Sequence, residues 1–345
     1  MEHRIARLWA ASAFGLLAIL LALAACAPAA PAQTAAPAEM TLPAVTPVDL
    51  GPGERLKVVA TTNIVGDVVE EVAEDAVSLT VLMAVGQDPH SYEPTPQALA
   101  AIEDADVIFV NGLDLEEVLM TTIENTATGL VVPVSAGIEP LVVEKNEREG
   151  AEEHAEEGSE HVHANGDPHF WMNPANVIVW TQNIESVLSQ ADPANRQSYA
   201  ASADAYRAQL EQVDAYARQQ LALVPPENRK LVTDHDSLGY FADAYGFEVV
   251  GAMIPGTSTT GEASAGDVAA LVDVIRAEDV PAIFIGTSAS RGLQSLANTI
   301  ADEVGGQVKV LPLLTGSLAP VGQPGDTYLG LIRFDVDQIV EGLAE

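Results

Sequence analysis

Seven histidines are spread over this 345-residue chain, and their neighbours sort them by the chemistry each could do. His3 belongs to an apolar N-terminal run, and His154, His161 and His163 sit in an acidic stretch, "EKNEREGAEEHAEEGSEHVHANG". The three that remain are His90 in "GQDPHSYEP", His169 in "GDPHFWMNP" and His235 in "VTDHDS". A neutral imidazole is a good ligand for a divalent transition metal such as zinc, and a carboxylate beside the ring can fix its tautomer. Asp88, Asp167, Asp234 and Asp236 each lie one or two residues from one of these histidines. The repeated Asp-Pro-His triplet also stiffens the backbone at two of the three, which lowers the ordering cost of binding. One such histidine is most often an ordinary hydrogen-bonding residue. Three, with none left over in the folded part, point to one shared ion.

To bring these rings together the chain needs a scaffold, and its hydrophobic pattern suggests one. Short apolar runs alternate with helical patterns: "RLKVVA", "VSLTV", "VIFV" and "GLVVPVS" before residue 135, then "KLVTDH", "FEVVGAMI", "PAIFIG" and "VKVLPL" after residue 229. That alternation predicts an α/β fold of two lobes, each a mostly parallel sheet with flanking helices. Between them, residues 174–190 read as one helix and 192–224 as a longer one, with Asp192 as N-cap and Pro193 in its first turn. A helix of about 30 residues reaches ~45 Å, enough to join two lobes as a backbone. Each of the three histidines is expected just past a strand, where parallel α/β sheets bind ligands. His90 and His169 would then face His235 across a cleft.

The expected boundaries are a signal peptide over 1–25, a tether over 26–54, a first lobe over 55–190, the connecting helix over 191–225 and a second lobe over 226–345. The first run, "MEHRIARLWAASAFGLLAILLALAAC", has a basic start and an apolar centre. A transmembrane anchor also fits its length, but "LAAC" resembles the lipobox of bacterial lipoproteins, which implies lipidation of Cys26. That residue is the only cysteine, so no disulfide framework supports the fold. The Ala- and Pro-rich stretch after it reads as an extended tether. Residues 144–166, dense in acid, read as a mobile loop.

The formal charge is −35, from 50 acidic and 15 basic residues. Nucleic-acid binding needs a basic face and is excluded, whereas an acidic exterior attracts cations. No glycine fingerprint for a dinucleotide appears in either lobe.

The strings "GQDPHSYEPTP", "ADVIFVNGLDLE", "GDPHFWMNP", "HDSLGYFADAYGF" and "STTGEASAGDVAALV" resemble, in that order, the solute-binding lipoproteins of bacterial ABC importers for zinc and manganese, the cluster A-I, adhesin-like family. The resemblance runs from about residue 56 to 343. It implies a metal held between the lobes by His90, His169 and His235, and a permease and ATPase as partners. It implies a monomer anchored by lipid on the outer side of a bacterial membrane. Manganese-binding members of the family generally carry a carboxylate at the third position, so His235 points to Zn²⁺ over Mn²⁺. Members often place an acidic fourth ligand where this chain has Gly286, which leaves water, Asp236 or Glu262 to complete the sphere. The loop histidines His154, His161 and His163 match the zinc-type pattern of a metal-capturing loop. Three histidines with an open position also resemble a catalytic zinc centre. Glu93 is the only obvious base for one, and no helical His-Glu-x-x-His is present, so no enzyme activity is expected.

Overall fold

The computed structural model describes residues 40–142 and 166–344. The expected signal peptide, the lipidation site Cys26 and the loop residues His154, His161 and His163 lie outside the described residues.

The first lobe is built on a four-stranded parallel sheet in the order β2-β1-β3-β4. Its strands are β1 Leu56–Ala60, β2 Val77–Val81, β3 Val107–Val110 and β4 Leu130–Pro133. β3 is buried along its whole length, as a strand covered by helices on both faces must be. The crossovers are helices α1 Asn63–Ala73, α2 Pro96–Asp104 and α3 Glu117–Thr126. Thr62 and Thr95 cap the first two by accepting from backbone N–H groups, and Pro96 occupies the first turn of α2.

Two long helices follow, α4 Pro174–Ala191 and α5 Arg196–Leu221. α5 has 26 residues and so a length of about 39 Å, a turn shorter than the sequence pattern suggests. The difference lies at both ends: the helix stops at Leu221, and Asn195, not Asp192, is the N-cap. Asp192 ends α4 instead, and its carboxylate accepts hydrogen bonds from Asn195 Nδ2 at 2.6 Å and Tyr199 Oη at 2.9 Å. Two side-chain donors have taken the oxygen that a capping role required. Tyr206, Leu210, Val213, Ala217 and Leu221 are buried, as their helical spacing predicts.

The second lobe holds β5 Lys230–Thr233, α6 Gly239–Tyr245, β6 Glu248–Ala252, α7 Ala265–Ala277, β7 Ala282–Gly286, α8 Arg291–Val304, β8 Lys309–Leu313 and α9 Tyr328–Leu343. Its strands form two parallel ladders, β5 with β6 and β7 with β8, and β5 lies beside β7. Ser264 and Asp267 close a reciprocal capping box at the start of α7.

Each lobe has its own small core, one around Met83, Ile108 and Leu119, the other around Val232, Ile283 and Ile300. A larger core runs through both, from Leu56 and Val65 past Trp180 and Tyr206 to Phe241, Phe284 and Leu331. α5 carries it by packing on α1, α4 and α9.

The described part of the tether expected over 26–54, residues 40–54, departs from an extended linker. Within it, Met40, Leu42, Val45, Val48 and Leu50 are partly buried against the large core. Val48 N–H donates to Ala191 O at 2.8 Å, and Met40 O accepts from Gly137 N–H at 2.8 Å. Its spaced apolar residues dock it without regular secondary structure. Among the described residues no helix is long and apolar enough to cross a membrane.

Candidate metal centre

The same local device builds both Asp-Pro-His turns. Asp88 Oδ1 accepts from the backbone N–H of His90 at 3.1 Å, and Asp167 Oδ1 accepts from that of His169 at 2.9 Å. Each is an aspartate turn onto the residue two positions later, with proline fixing the residue between. At Asp167 the same oxygen is also 2.8 Å from His169 Nδ1, which leaves Nε2 free to face a ligand. At Asp88 the second oxygen turns elsewhere, accepting from Ser91 Oγ at 3.0 Å and from Thr259 Oγ1 of the second lobe at 2.5 Å.

His235 follows β5 directly, as expected. His169 does not follow a strand among the described residues; it leads into a short helical turn, Phe170–Met172, ahead of α4. His90 sits in the loop between β2 and α2. Asp234 braces His235, its Oδ1 lying 3.3 Å from Nδ1.

The three rings converge. His169 Nε2 is 3.3 Å from His90 Nε2 and 3.2 Å from His235 Nε2. All three residues are buried, at 1%, 1% and 4% exposure, and their ligand atoms lie within 4.8 Å of one another. A tetrahedral zinc with nitrogens at roughly 2.0–2.1 Å holds them about 3.3 Å apart, so the spacing fits one ion.

Asp236 and Glu262 are not members of this group. Asp236 Oδ2 accepts from Gly256 N–H at 3.0 Å. Glu262 lines a cavity of about 330 Å³ beside Asp88 and Asp234. Gly286 has no room for a side chain: a Cβ there would overlap Thr315 Oγ1 and lie 3.1 Å from Asp234 Oδ2. Gly239 is equally confined, because a Cβ there would stand 2.5 Å from Asp167 Oδ2.

The charges around the rings follow from burial and pairing. Burial pushes the Asp167 carboxyl up to about 7, with the His169 N–H and the charge of His235 pulling it back. Burial alone would lower the His235 imidazole, but Asp234, then Asp88 and Asp236, hold it above its ordinary value. Asp234 itself stays below the usual carboxylate range: burial opposes this, and His235, Thr233 and the Gly286 N–H outweigh it.

Sequence reasoning missed several supports. Trp171 packs edge-on against His169 with centroids 5.2 Å apart, and its Nε1 donates to Thr315 O at 3.1 Å. Tyr240 Oη donates to Asp167 O at 3.0 Å and accepts from Leu141 N–H at 3.2 Å. Asn111 Nδ2 donates to Pro168 O at 3.0 Å. The neighbouring aspartates were readable in advance, Asp88 and Asp167 also because Asp-Pro is a turn signal in its own right.

Two α/β lobes along a backbone helix, with three buried imidazoles facing one point, define a solute-binding protein whose cargo is a metal cation. A family profile described as zinc-uptake complex component A, periplasmic, matches residues 58–342, and the chain belongs to that family. The family supplies metal-binding, substrate-receiving components of ABC importers and is not one of enzymes. The chain is 33% identical over 294 residues to the manganese-binding lipoprotein MntA of Halalkalibacterium halodurans, covering 85% of this chain and 90% of the relative. It is 31% identical over 299 residues to the iron ABC transporter substrate-binding lipoprotein MtsA of Streptococcus pyogenes, covering 85% and 90%. Among solved structures, the periplasmic zinc binding protein TroA from Treponema pallidum superposes with a TM-score of 0.73 at 32% identity, over 85% of this chain and all of that one.

Proposed function

We propose that this chain captures Zn²⁺ outside a bacterial cytoplasmic membrane and hands it to an ABC permease driven by its ATPase. The observation that carries the reading is the donor set: three imidazole nitrogens converge, and no carboxylate belongs to the group among the described residues. Zinc accepts such nitrogens in a tetrahedron, whereas manganese favours oxygen ligands. His90 and His169 come from the first lobe and His235 from the second, so binding replaces the ion's hydration shell inside the protein. Water is the fourth ligand in this reading. A lipidated Cys26 would hold a monomer at the membrane surface once residues 1–25 are removed. His154, His161 and His163 would raise the local metal concentration without forming the main site.

A manganese or iron cargo is the second reading, favoured by the manganese and iron names of the relatives. Competitive titration of the metal-free protein with zinc and manganese against a chelator separates the two. The proposal expects zinc to bind more tightly than the general preference of nitrogen sites for zinc over manganese alone requires. Tighter manganese binding overturns it. Deleting residues 150–163 is expected to leave zinc affinity within about threefold, the smallest change such titrations resolve (~0.65 kcal/mol).

A further inference from the structure

Glu116 is fully buried at the end of the turn "NGLDLE", in which Leu113 and Asp114 both take positive φ values of 53° and 59°. Two left-handed non-glycine residues in a row are costly, and they persist only where the surroundings demand them. Here the turn delivers the Glu116 carboxyl under the ends of β1 and β3. Its Oε1 accepts from Thr61 Oγ1 at 2.5 Å and from Asn111 N–H at 2.6 Å. Its Oε2 has no hydrogen-bond partner among the described residues, and neither has Asn111 Oδ1. Burial pushes this carboxyl above its ordinary range.

What Glu116 holds is more telling. Asn111 is also fully buried, and both of its amide protons are spent on carbonyls: Gly112 O at 2.8 Å and Pro168 O at 3.0 Å. Its own carbonyl accepts from Ser135 Oγ at 2.6 Å. Pro168 O belongs to the peptide that joins Pro168 to His169, so fixing that oxygen fixes the plane from which the His169 side chain departs. Asp167 holds the other side of the same residue, through the backbone N–H and Nδ1.

We propose that Glu116 is a positioning residue for the metal site: through Asn111 it clamps the Pro168–His169 peptide and sets the direction of the His169 ring. The proposal rests on His169 being a metal ligand, and not on which metal is bound. Outer groups that orient a ligand typically contribute roughly 10- to 100-fold to metal affinity.

The test is chelator-competition titration of the full-length protein with zinc and, separately, manganese, well below each variant's unfolding temperature. Glu116→Ala and Asn111→Asp are each expected to lose roughly 10- to 100-fold in affinity for the metal that the unaltered protein prefers. Glu116→Gln, which keeps the accepting oxygen and the shape, is expected to stay within about threefold. Because both residues act on one peptide, Glu116→Ala combined with Asn111→Asp should cost little more than either alone. Lowered unfolding temperature with unchanged affinity would make Glu116 merely structural and overturn the proposal, as would losses that multiply in the double variant. If Glu116→Ala does not fold, Asn111→Asp against Glu116→Gln decides: unchanged affinity in the first, or an equal loss in both, overturns it. A preference for manganese in the unaltered protein defeats the zinc reading alone, and the same variants are then read on manganese.

Discussion

The two walls of the metal site are built differently. The first lobe, built on one continuous four-stranded sheet, supplies two of the three converging imidazoles from loops, and His169 there is held by Asp167 at 2.8 Å. The second lobe supplies the third imidazole just past β5, a strand of a two-stranded ladder, and Asp234 stands 3.3 Å from its ring. Both aspartates are buried, yet burial prevails at one and pairing at the other: Asp167 is pushed up to about 7, while Asp234 is held below the ordinary range. The first wall is therefore fixed by short hydrogen bonds to an aspartate whose charge is disfavoured by burial. The second is fixed by a charged pair that gives His235 its proton preference. A site with one geometric wall and one electrostatic wall should respond unequally to the same kind of change.

The largest effect comes from removing a ligand. Structural zinc sites are worth roughly 10–16 kcal/mol, or about 3 kcal/mol for each of four ligands. His90→Ala, His169→Ala and His235→Ala should each weaken zinc by at least about a hundredfold in competitive titration. Wild-type affinity in any one of them would remove that ring from the sphere and dissolve the contrast between the walls.

Acidity should act through the second wall. His235 is raised above 6.5, so in the metal-free protein its proton competes with the metal to a higher pH than a free imidazole would allow. The raised value also means that this proton stabilises the metal-free fold fully below 6.5, and that the gain is lost as pH rises through the folded value. On acidification, metal binding weakens while the metal-free form gains. The difference in unfolding temperature with and without zinc should shrink as pH falls from 8 to 6 (a range of about ±1 around 7). A difference that stays constant over that range would mean that His235 is not protonated in the metal-free protein.

Much of the fold was legible because its signals are local. Four apolar runs on either side of two helical stretches become the eight strands, and the spacing of Tyr206, Leu210 and Val213 becomes the buried face of α5. The three histidines were legible by elimination. What escaped were contacts that join residues distant in sequence. Asp192 reads as a helix cap until Tyr199 and Asn195 are placed around it. Nothing local marks Glu116 as buried, and its partners Thr61 and Asn111 come from the ends of two strands. The apolar residues over 40–50 look too sparse to fold alone, and they find their partners in a core formed by the rest of the chain.

The two aspartates make the next comparison. Asp167→Asn should cost roughly 10- to 100-fold in zinc affinity, because an amide oxygen is a weaker acceptor for Nδ1–H than a carboxylate and leaves the ring a poorer ligand. Asp234→Asn should cost less, since its bond to the ring is longer, but it should lower the pH at which binding is lost. An equal affinity loss in both, with no pH shift for Asp234→Asn, would erase the distinction between the walls.

The smallest expected effect concerns the tie between them. Tyr240 belongs to the second lobe, yet its hydroxyl donates to Asp167 O and accepts from Leu141 N–H, and its ring packs on Phe170 at 5.1 Å. Tyr240→Phe keeps the ring and removes both hydrogen bonds, a loss of about 1–3 kcal/mol in stability. For a protein of this size that is a fall of several degrees in unfolding temperature, given roughly 2–4 °C per kcal/mol in domains of 150–250 residues. If the first wall owes its geometry to its own sheet, zinc affinity should stay within about threefold (~0.65 kcal/mol) despite the fall. If affinity drops by as much as in Asp167→Asn, the second lobe is helping to shape the first lobe's ligand. The metal would then be gripped by one cooperative shell and not by two independent walls.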